Sequence, residues 1–143
     1  MEQIYAEAMA EQQKGYNCAE TVVLMAGRYY LPEIDFAYSN LVTGFGGGVG
    51  RSRAETCGAL NGSVVALSML IGRKDTSKDV DVIHPYIAAF RDIFISEFDN
   101  SICEKLREGY DGDAAKKMCH EMTAKTVILL FDYLKELGIK RKV

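Results

Sequence analysis

The sequence is poor in residues that interrupt regular structure, since its 143 residues include only two prolines, Pro32 and Pro85, and no tryptophan. It also lacks any apolar run that approaches the roughly 18 to 20 residues needed to span a bilayer. The first residues, Met1 to Tyr5, have neither a basic start nor an apolar stretch, so no secretory signal is visible. These absences predict a protein with no membrane attachment and a cytoplasmic location.

A surplus of positive charge is missing as well. The chain has 17 Lys and Arg against 20 Asp and Glu, which gives a formal net charge of −3. Because nucleic-acid binding depends on clustered Lys and Arg, we predict no nucleic-acid partner. The composition is compatible with a homodimer and leaves any redox partner unidentified.

Helical spacing of apolar residues extends along most of the chain, and alternating strand patterns are absent. We therefore predict an all-α fold, a compact bundle of five to seven helices within a single domain over residues 1–143. A helix from about residue 53 to residue 71 is apolar almost all round, which predicts a central position. In that helix Gly58, Gly62 and Ala66 recur every four residues and favour close approach of a neighbouring helix. A short helical segment is predicted from Asp35 to Val42.

Three predicted helix starts carry a capping-box pattern, in which a side chain at the N-cap and a Glu three residues later bond each other's backbone N–H groups. The three pairs are Asn17 with Glu20, Ser52 with Glu55, and Ser101 with Glu104. The last helix is predicted to begin at a cap on Asp113.

The four cysteines contain no C-x-x-C pair and no zinc-finger spacing. Cys18, Cys57 and Cys103 fall near predicted helix starts, where free N–H groups and the helix dipole favour a thiolate. We therefore expect lowered pKa values for these three thiols. Cys119 lies deeper in its helix and lacks this advantage, and its neighbour His120 should point away from it.

All four cysteines fall on apolar helix faces and could converge on one point. Three interpretations follow. In the first, Cys18, Cys57 and Cys103 are reactive thiols of a redox protein, which makes it a candidate thiol-dependent oxidoreductase, and Cys119 is a resolving or supporting thiol. In the second, all four are ligands of a zinc or iron–sulfur centre, because soft thiolates suit both. In the third, the cysteines are inert buried residues of a structural module.

A glycine-rich segment from Gly44 to Arg51 has five glycines among its first seven residues and must be a loop. Its register fits neither a P-loop nor a dinucleotide fingerprint. Gly46, Gly47, Gly48 and Arg51 are candidate cofactor-binding residues. Two arginines near a helix start, Arg51 and Arg53, predict a nearby anion, which could be a carboxylate, a thiolate, a cluster or a bound ligand.

Four segments together resemble a known family: Asn17 to Glu20, Gly44 to Arg51, Thr56 to Gly62, and the later cysteines Cys103 and Cys119. They are similar to the bacterial and archaeal C_GCAxxG_C_C family of redox-active proteins. The family label reads Gly-Cys-Ala, whereas Gly58 follows Cys57 here. The resemblance implies a small helical domain and cysteine-based redox function. Related domains fused to cytochromes imply an electron-transfer setting, with an iron–sulfur or other metal centre as the alternative.

Overall fold

The computed structural model describes residues 1–34 and 36–143, and this part of the chain contains six α-helices and no β-strand. The helices are α1 (Glu2–Gln13), α2 (Cys18–Tyr30), α3 (Gly58–Ile71), α4 (His84–Phe98), α5 (Cys103–Leu106) and α6 (Gly112–Glu136). Two 3-10 segments, Phe36–Phe45 and Val80–Val82, lie between them. The predicted all-α fold with five to seven helices is confirmed. Of the short helix predicted for residues 35–42, Asp35 lies outside the described residues, and the rest falls within the first 3-10 segment.

The start of α2 is the capping box predicted from the sequence. The backbone N–H of Glu20 donates to the side chain of Asn17 at 2.9 Å, and the backbone N–H of Asn17 donates to Glu20 Oε1 at 3.0 Å. Two of the free donors of the first turn are thereby satisfied. The helix ends at Tyr30, two residues before Pro32.

The predicted capping box at Ser52 is wrong, because the Ser52 hydroxyl is engaged by the preceding loop. It donates to the carbonyl of Gly48 at 2.6 Å, and α3 begins only at Gly58, with Cys57 as its N-cap. Residues 53–57 instead lie beside residues 101–104. The two segments form an isolated antiparallel bridge between Thr56 and Ile102.

The predicted capping box at Ser101 is also wrong. Helix α5 begins at Cys103 with Ile102 as its N-cap, and no side chain caps it. The side chain of Asn100 accepts the N–H groups of Ser101 and Ile102 at 2.8 and 2.9 Å, so Asn100 forms the local turn. The last helix has the neighbouring aspartate, Asp111, at its N-cap and not Asp113.

Helices α2 and α3 approach each other closely because α3 has a glycine at the contact with α2. A Cβ atom on Gly62 would lie 2.7 Å from the carbonyl oxygen of Ala19, so only glycine fits this position. The close approach predicted from the four-residue spacing is confirmed, and α2 is the partner helix. Helix α3 also contacts α4 and α6. None of the described helices combines the length and apolarity that a bilayer crossing requires.

Helices α2 and α6 connect two regions of the molecule. At the C-terminal end of α2, the rings of Tyr29 and Tyr30 pack edge-on against Phe131 of α6, with centroids 5.5 and 5.0 Å apart. We call these three residues the aromatic core. At the other end of α2 lies Cys18, and Cys119 lies twelve residues before Phe131 in α6, about 18 Å along the helix axis. The cysteines and the aromatic core are therefore held apart by the same pair of helices.

Candidate redox site

All four cysteines line one cavity of about 810 Å³. Each comes from a different helix or helix start, with Cys18 in α2, Cys57 before α3, Cys103 in α5 and Cys119 in α6. Cys57 and Cys103 are buried, Cys18 and Cys119 are half-buried, and all four are free thiols. The convergence expected from their apolar helix faces is therefore present. We refer to this space as the cysteine cavity.

Three of these cysteines do lie at helix starts. Cys18 is the first residue of α2, and Cys103 is the first residue of α5. Cys57 is the N-cap of α3, which places it closer to the free N–H groups than the sequence pattern indicated. The start of α2 is further held by the side-chain amide of Asn17, which donates to the carbonyl of Thr43 at 2.9 Å.

Backbone pairing between two distant segments positions Cys57 and Cys103. The backbone N–H of Cys57 donates to the carbonyl of Ser101 at 2.7 Å, and that of Cys103 donates to the carbonyl of Glu55 at 3.0 Å. Glu104 adds a third bond to the carbonyl of Arg53 at 2.8 Å. Because three backbone bonds fix the register, the two cysteines keep the same relative position.

Glycines make room for the sulfur atoms. A Cβ on Gly58 would collide with Sγ of Cys18, and it would also lie 2.7 Å from the carbonyl oxygen of Phe45. A Cβ on Gly48 would lie 2.5 Å from Cβ of Cys103. The glycine that follows Cys57 therefore has a defined role, since it lets the Cys18 sulfur lie directly against the first turn of α3.

The glycine loop takes a left-handed path beside the cavity. Residues 47–51 all have positive φ, between 59° and 68°, and they include the non-glycine residues Val49 and Arg51. A β-branched residue such as Val49 is rarely found in this region, because its side chain crowds the backbone. The path brings the N–H of Gly47 towards Cys18, whose anionic form it favours. Gly46, Gly47 and Arg51 line the cavity, whereas Gly48 packs behind it on Cys103.

The expected lowering of three thiol pKa values is wrong, because burial outweighs the helix starts. Burial raises the pKa of Cys18, although the N–H groups of Gly47 and Ala19 oppose it. Burial raises the pKa of Cys57 to about 12, and the neighbouring Cys18 adds to this shift. Burial also raises the pKa of Cys103 against the opposing charge of Arg53. At these three sites, the free energy lost by removing water from the thiolate is larger than the free energy gained from nearby donors and positive charge.

Cys119 has a partner that the sequence pattern did not predict. Nη1 of Arg107 donates a hydrogen bond to Sγ of Cys119 at 3.1 Å. A hydrogen bond from a guanidinium to an anionic sulfur is charge-assisted, and it is stronger than one between neutral groups. No sequence pattern links Arg107 to Cys119, because the bond joins α6 to the residue after α5.

The walls of the cavity carry positive charge. Arg51, Arg53, Arg107 and Lys116 line it, and among the described residues no Asp or Glu does. His120 also lines the cavity, and burial, with a smaller contribution from Lys116, lowers its pKa. The imidazole is therefore neutral near pH 7. The other histidine, His84, lines a separate cavity between α3 and α4.

The four thiols provide the right donors for a metal centre without forming one in this arrangement. Within residues 1–34 and 36–143, no group of three or more His, Cys, Asp and Glu side chains is placed to hold a metal ion. Ligand sulfurs on zinc lie about 2.3 Å from the metal and so about 4 Å from one another. The donor chemistry fits a zinc or iron–sulfur site, and binding would require the sulfurs to move together.

Fold and site together define a helical protein with a cysteine-lined, positively charged cavity. Residues 16–133 match the model of the family described as "Putative redox-active protein (C_GCAxxG_C_C)", and the chain belongs to this family. Neither a curated protein nor a solved structure matches the chain. The resemblance noted in the sequence is thus confirmed at the level of the family.

Proposed function

We propose that this protein carries out thiol–disulfide redox chemistry in the cysteine cavity. The observation that carries the proposal is the meeting of four free cysteines, from four separate helices or helix starts, on one cavity lined by cations. Reactive cysteines occur in positively charged, partly exposed surroundings, whereas inert structural cysteines are surrounded by apolar groups. The half-buried pair, Cys18 and Cys119, meets the first description best.

We assign the attacking thiol to Cys119 and the resolving thiol to Cys18. Cys119 receives the hydrogen bond of Arg107, so its anion has a charged donor at the sulfur. Cys18 is the other half-buried cysteine that lines the cavity, and, in addition to burial, a charge on Cys119 raises the pKa of Cys18. This assignment differs from the one predicted from the sequence, in which Cys119 had the supporting role.

The reaction is a dithiol–disulfide exchange with a disulfide substrate. The Cys119 thiolate attacks one substrate sulfur, so a mixed disulfide forms and the substrate's other half leaves as a thiolate. The Cys18 thiol gives its proton to that leaving thiolate. Its sulfur then attacks Cys119 Sγ and releases the second half as a thiolate, which takes a proton from water. The two protein thiols lose two electrons to form a Cys18–Cys119 disulfide, and the substrate gains them to become two thiols.

The test is to map the first thiols that react in the reduced protein. Near pH 7, iodoacetamide should modify Cys119 first, and a small disulfide should then produce a Cys18–Cys119 cross-link that peptide mass mapping detects. Cys119→Ser and Cys18→Ser should each abolish the cross-link, whereas Cys57→Ser should retain it. If all four thiols react more slowly than free cysteine and no disulfide forms, the proposal fails. The inert-cysteine interpretation then gains, and its signature is that Cys→Ala changes alter stability alone.

A second candidate is a metal or iron–sulfur centre ligated by Cys18, Cys57, Cys103 and Cys119. Two observations favour it: the cavity is larger than a disulfide needs, and its cations would offset the negative charge of four thiolates. The protein's own part would be to supply the four sulfurs and to shield the site from water. The test is anaerobic treatment with iron and sulfide, followed by metal analysis and a visible spectrum. Stoichiometric iron with four unreactive thiols supports this candidate, and a colourless, metal-free protein removes it.

A further inference from the structure

The positive charges of the cysteine cavity come from two separate parts of the chain. Arg51 and Arg53 belong to the glycine loop and the segment after it, whereas Arg107 and Lys116 flank the turn between α5 and α6. None of the four has an ion-pair partner among the acidic residues that the structure describes. Like charges gathered around one space repel one another, so an anion between them stabilises the arrangement.

The cavity has room for a small molecule between these charges. The volume of about 810 Å³ lies within the range of small-molecule sites. A disulfide between two of the protein's own thiols would fill little of this space.

We propose that the cysteine cavity binds a small organic dianion, with one anionic group on the loop arginines and the other on the Lys116 side. This inference rests on the proposed function, and it names the substrate class for it. The substrate is a low-molecular-weight disulfide with an anionic group on each half, and binding places its S–S bond near Cys119. Its reduction releases two anionic thiols, while Cys18 and Cys119 are oxidised to a disulfide.

The experiment compares three small disulfides that differ in charge. Dithiodiglycolate is dianionic, hydroxyethyl disulfide is neutral, and cystamine is dicationic. Rates of Cys18–Cys119 cross-linking are divided by the rates of each disulfide with a free-cysteine peptide, which removes intrinsic reactivity. The dianion should react on the order of tenfold faster than the neutral disulfide, with the dication slowest, and added salt should reduce the difference.

Matched variants locate the effect. Arg51→Gln and Lys116→Gln should each remove most of the preference for the dianion. Lys117→Gln should keep the preference for the dianion. This variant loses the same charge as Lys116→Gln at the next residue of α6, but Lys117 lies outside the cavity and pairs with Glu121. Equal corrected rates for the three disulfides would overturn the inference while the redox function stands. The inference is overturned in the same way if Lys117→Gln acts as strongly as Lys116→Gln.

A binding measurement separates this inference from the redox proposal. Adipate has the same length and charge as dithiodiglycolate but no S–S bond, and its neutral diol counterpart serves as the control. Adipate should slow the alkylation of Cys119 by iodoacetamide several-fold, and the diol should not. If no disulfide oxidises the protein but adipate still protects Cys119, the redox function fails and the dianion site is retained. If adipate gives no protection and the disulfides show no charge preference, the dianion site is refuted.

Discussion

The aromatic core and the cysteine cavity lie on the same two helices, α2 and α6, but they differ in packing and in charge. In the aromatic core, Phe131 is 3% exposed and contacts Tyr29 and Tyr30 edge-on, so nearly all of its surface is removed from water. In the cavity, Cys18 and Cys119 remain half-buried among cations, beside a loop with a left-handed backbone. Packing in the aromatic core stabilises the folded state. The cysteine cavity destabilises it, because like charges lie close together, the loop backbone is strained and part of the volume is unfilled. Stability and chemistry are therefore kept at different ends of α2 and α6.

Phe131→Ala should give the largest effect on stability. It removes the ring that joins α2 to α6, so the free energy of unfolding should fall by about 3 to 5 kcal/mol. Urea unfolding measures this. The rate of Cys119 alkylation in the folded protein should change little, because Cys119 lies about 18 Å from Phe131 along α6. A large change in that rate under folding conditions would show that the two regions are not independent.

Gly58→Ala should have the next largest effect on stability, and it should also change the reactivity of Cys18. The new Cβ would collide with Sγ of Cys18 and the carbonyl of Phe45, so we expect a loss of about 1 to 3 kcal/mol. Displacement of Cys18 should also change its alkylation rate. Gly44→Ala is the matched control, because a Cβ there meets no atom within 4 Å and the backbone φ is not positive. Similar losses for the two variants would contradict the packing role of Gly58.

The buried thiol of Cys57 should make stability depend on alkaline pH. Folding raises its pKa from 9.0 to about 12, so above pH 9 the folded state holds a proton that the unfolded state has lost. Stability is therefore fully present below pH 9 and falls as the pH rises towards about 12, by at most about 1.4 kcal/mol per pH unit for one proton. Urea unfolding under reducing conditions should show a shallower decline in Cys57→Ala. Equal slopes in the two proteins would refute the assignment.

Arg107→Gln should have the smallest effect on stability and a clear effect on reactivity. Unfolding free energy should stay within about 0.5 kcal/mol, since Arg107 lies at the edge of the cavity. Alkylation of Cys119 near pH 7 should slow several-fold, because the charged donor on its sulfur is lost. Arg107→Lys should recover part of the rate. Arg91→Gln is the control, because Arg91 pairs with its neighbour Asp92 and does not line the cysteine cavity. An unchanged alkylation rate in Arg107→Gln would contradict the proposal that Arg107 activates Cys119.

Local signals predicted local structure well, and they failed where a distant segment intervened. The capping box at Asn17 and the glycine spacing along α3 involve neighbours within a few residues, so the sequence contained what was needed. At Ser52 the same pattern was misleading, because the following residues bond to residues 101–104 and not to a helical turn of their own. The pKa expectations failed for a related reason. Helix position is visible in a sequence, whereas the burial of a sulfur depends on the whole fold.

Parts of the site were predictable and parts were not. The choice of the four cysteines as candidate site residues and the loop at Gly44 to Arg51 followed from residue type and position. The guanidinium on Cys119 did not, because Arg107 reaches it only through the turn between α5 and α6. Lys116 and His120 share one face of α6 with Cys119 at helical spacing, so the sequence carried that signal. We nevertheless did not predict that Cys119 and His120 line the same cavity, because adjacent residues of a helix normally point apart.

The backbone pairing of residues 53–57 with residues 101–104 has a consequence for the order of folding. The bond between Cys57 and Ser101 closes a loop of more than forty residues, whereas most helices of this chain form from contacts a few residues apart. We therefore expect local helices to form first and the segments that carry Cys57 and Cys103 to join late. Until they do, four thiols are open to solvent and to one another in arbitrary combinations. The proposed Cys18–Cys119 pairing therefore has competitors until folding is complete, and reducing conditions during folding should prevent them.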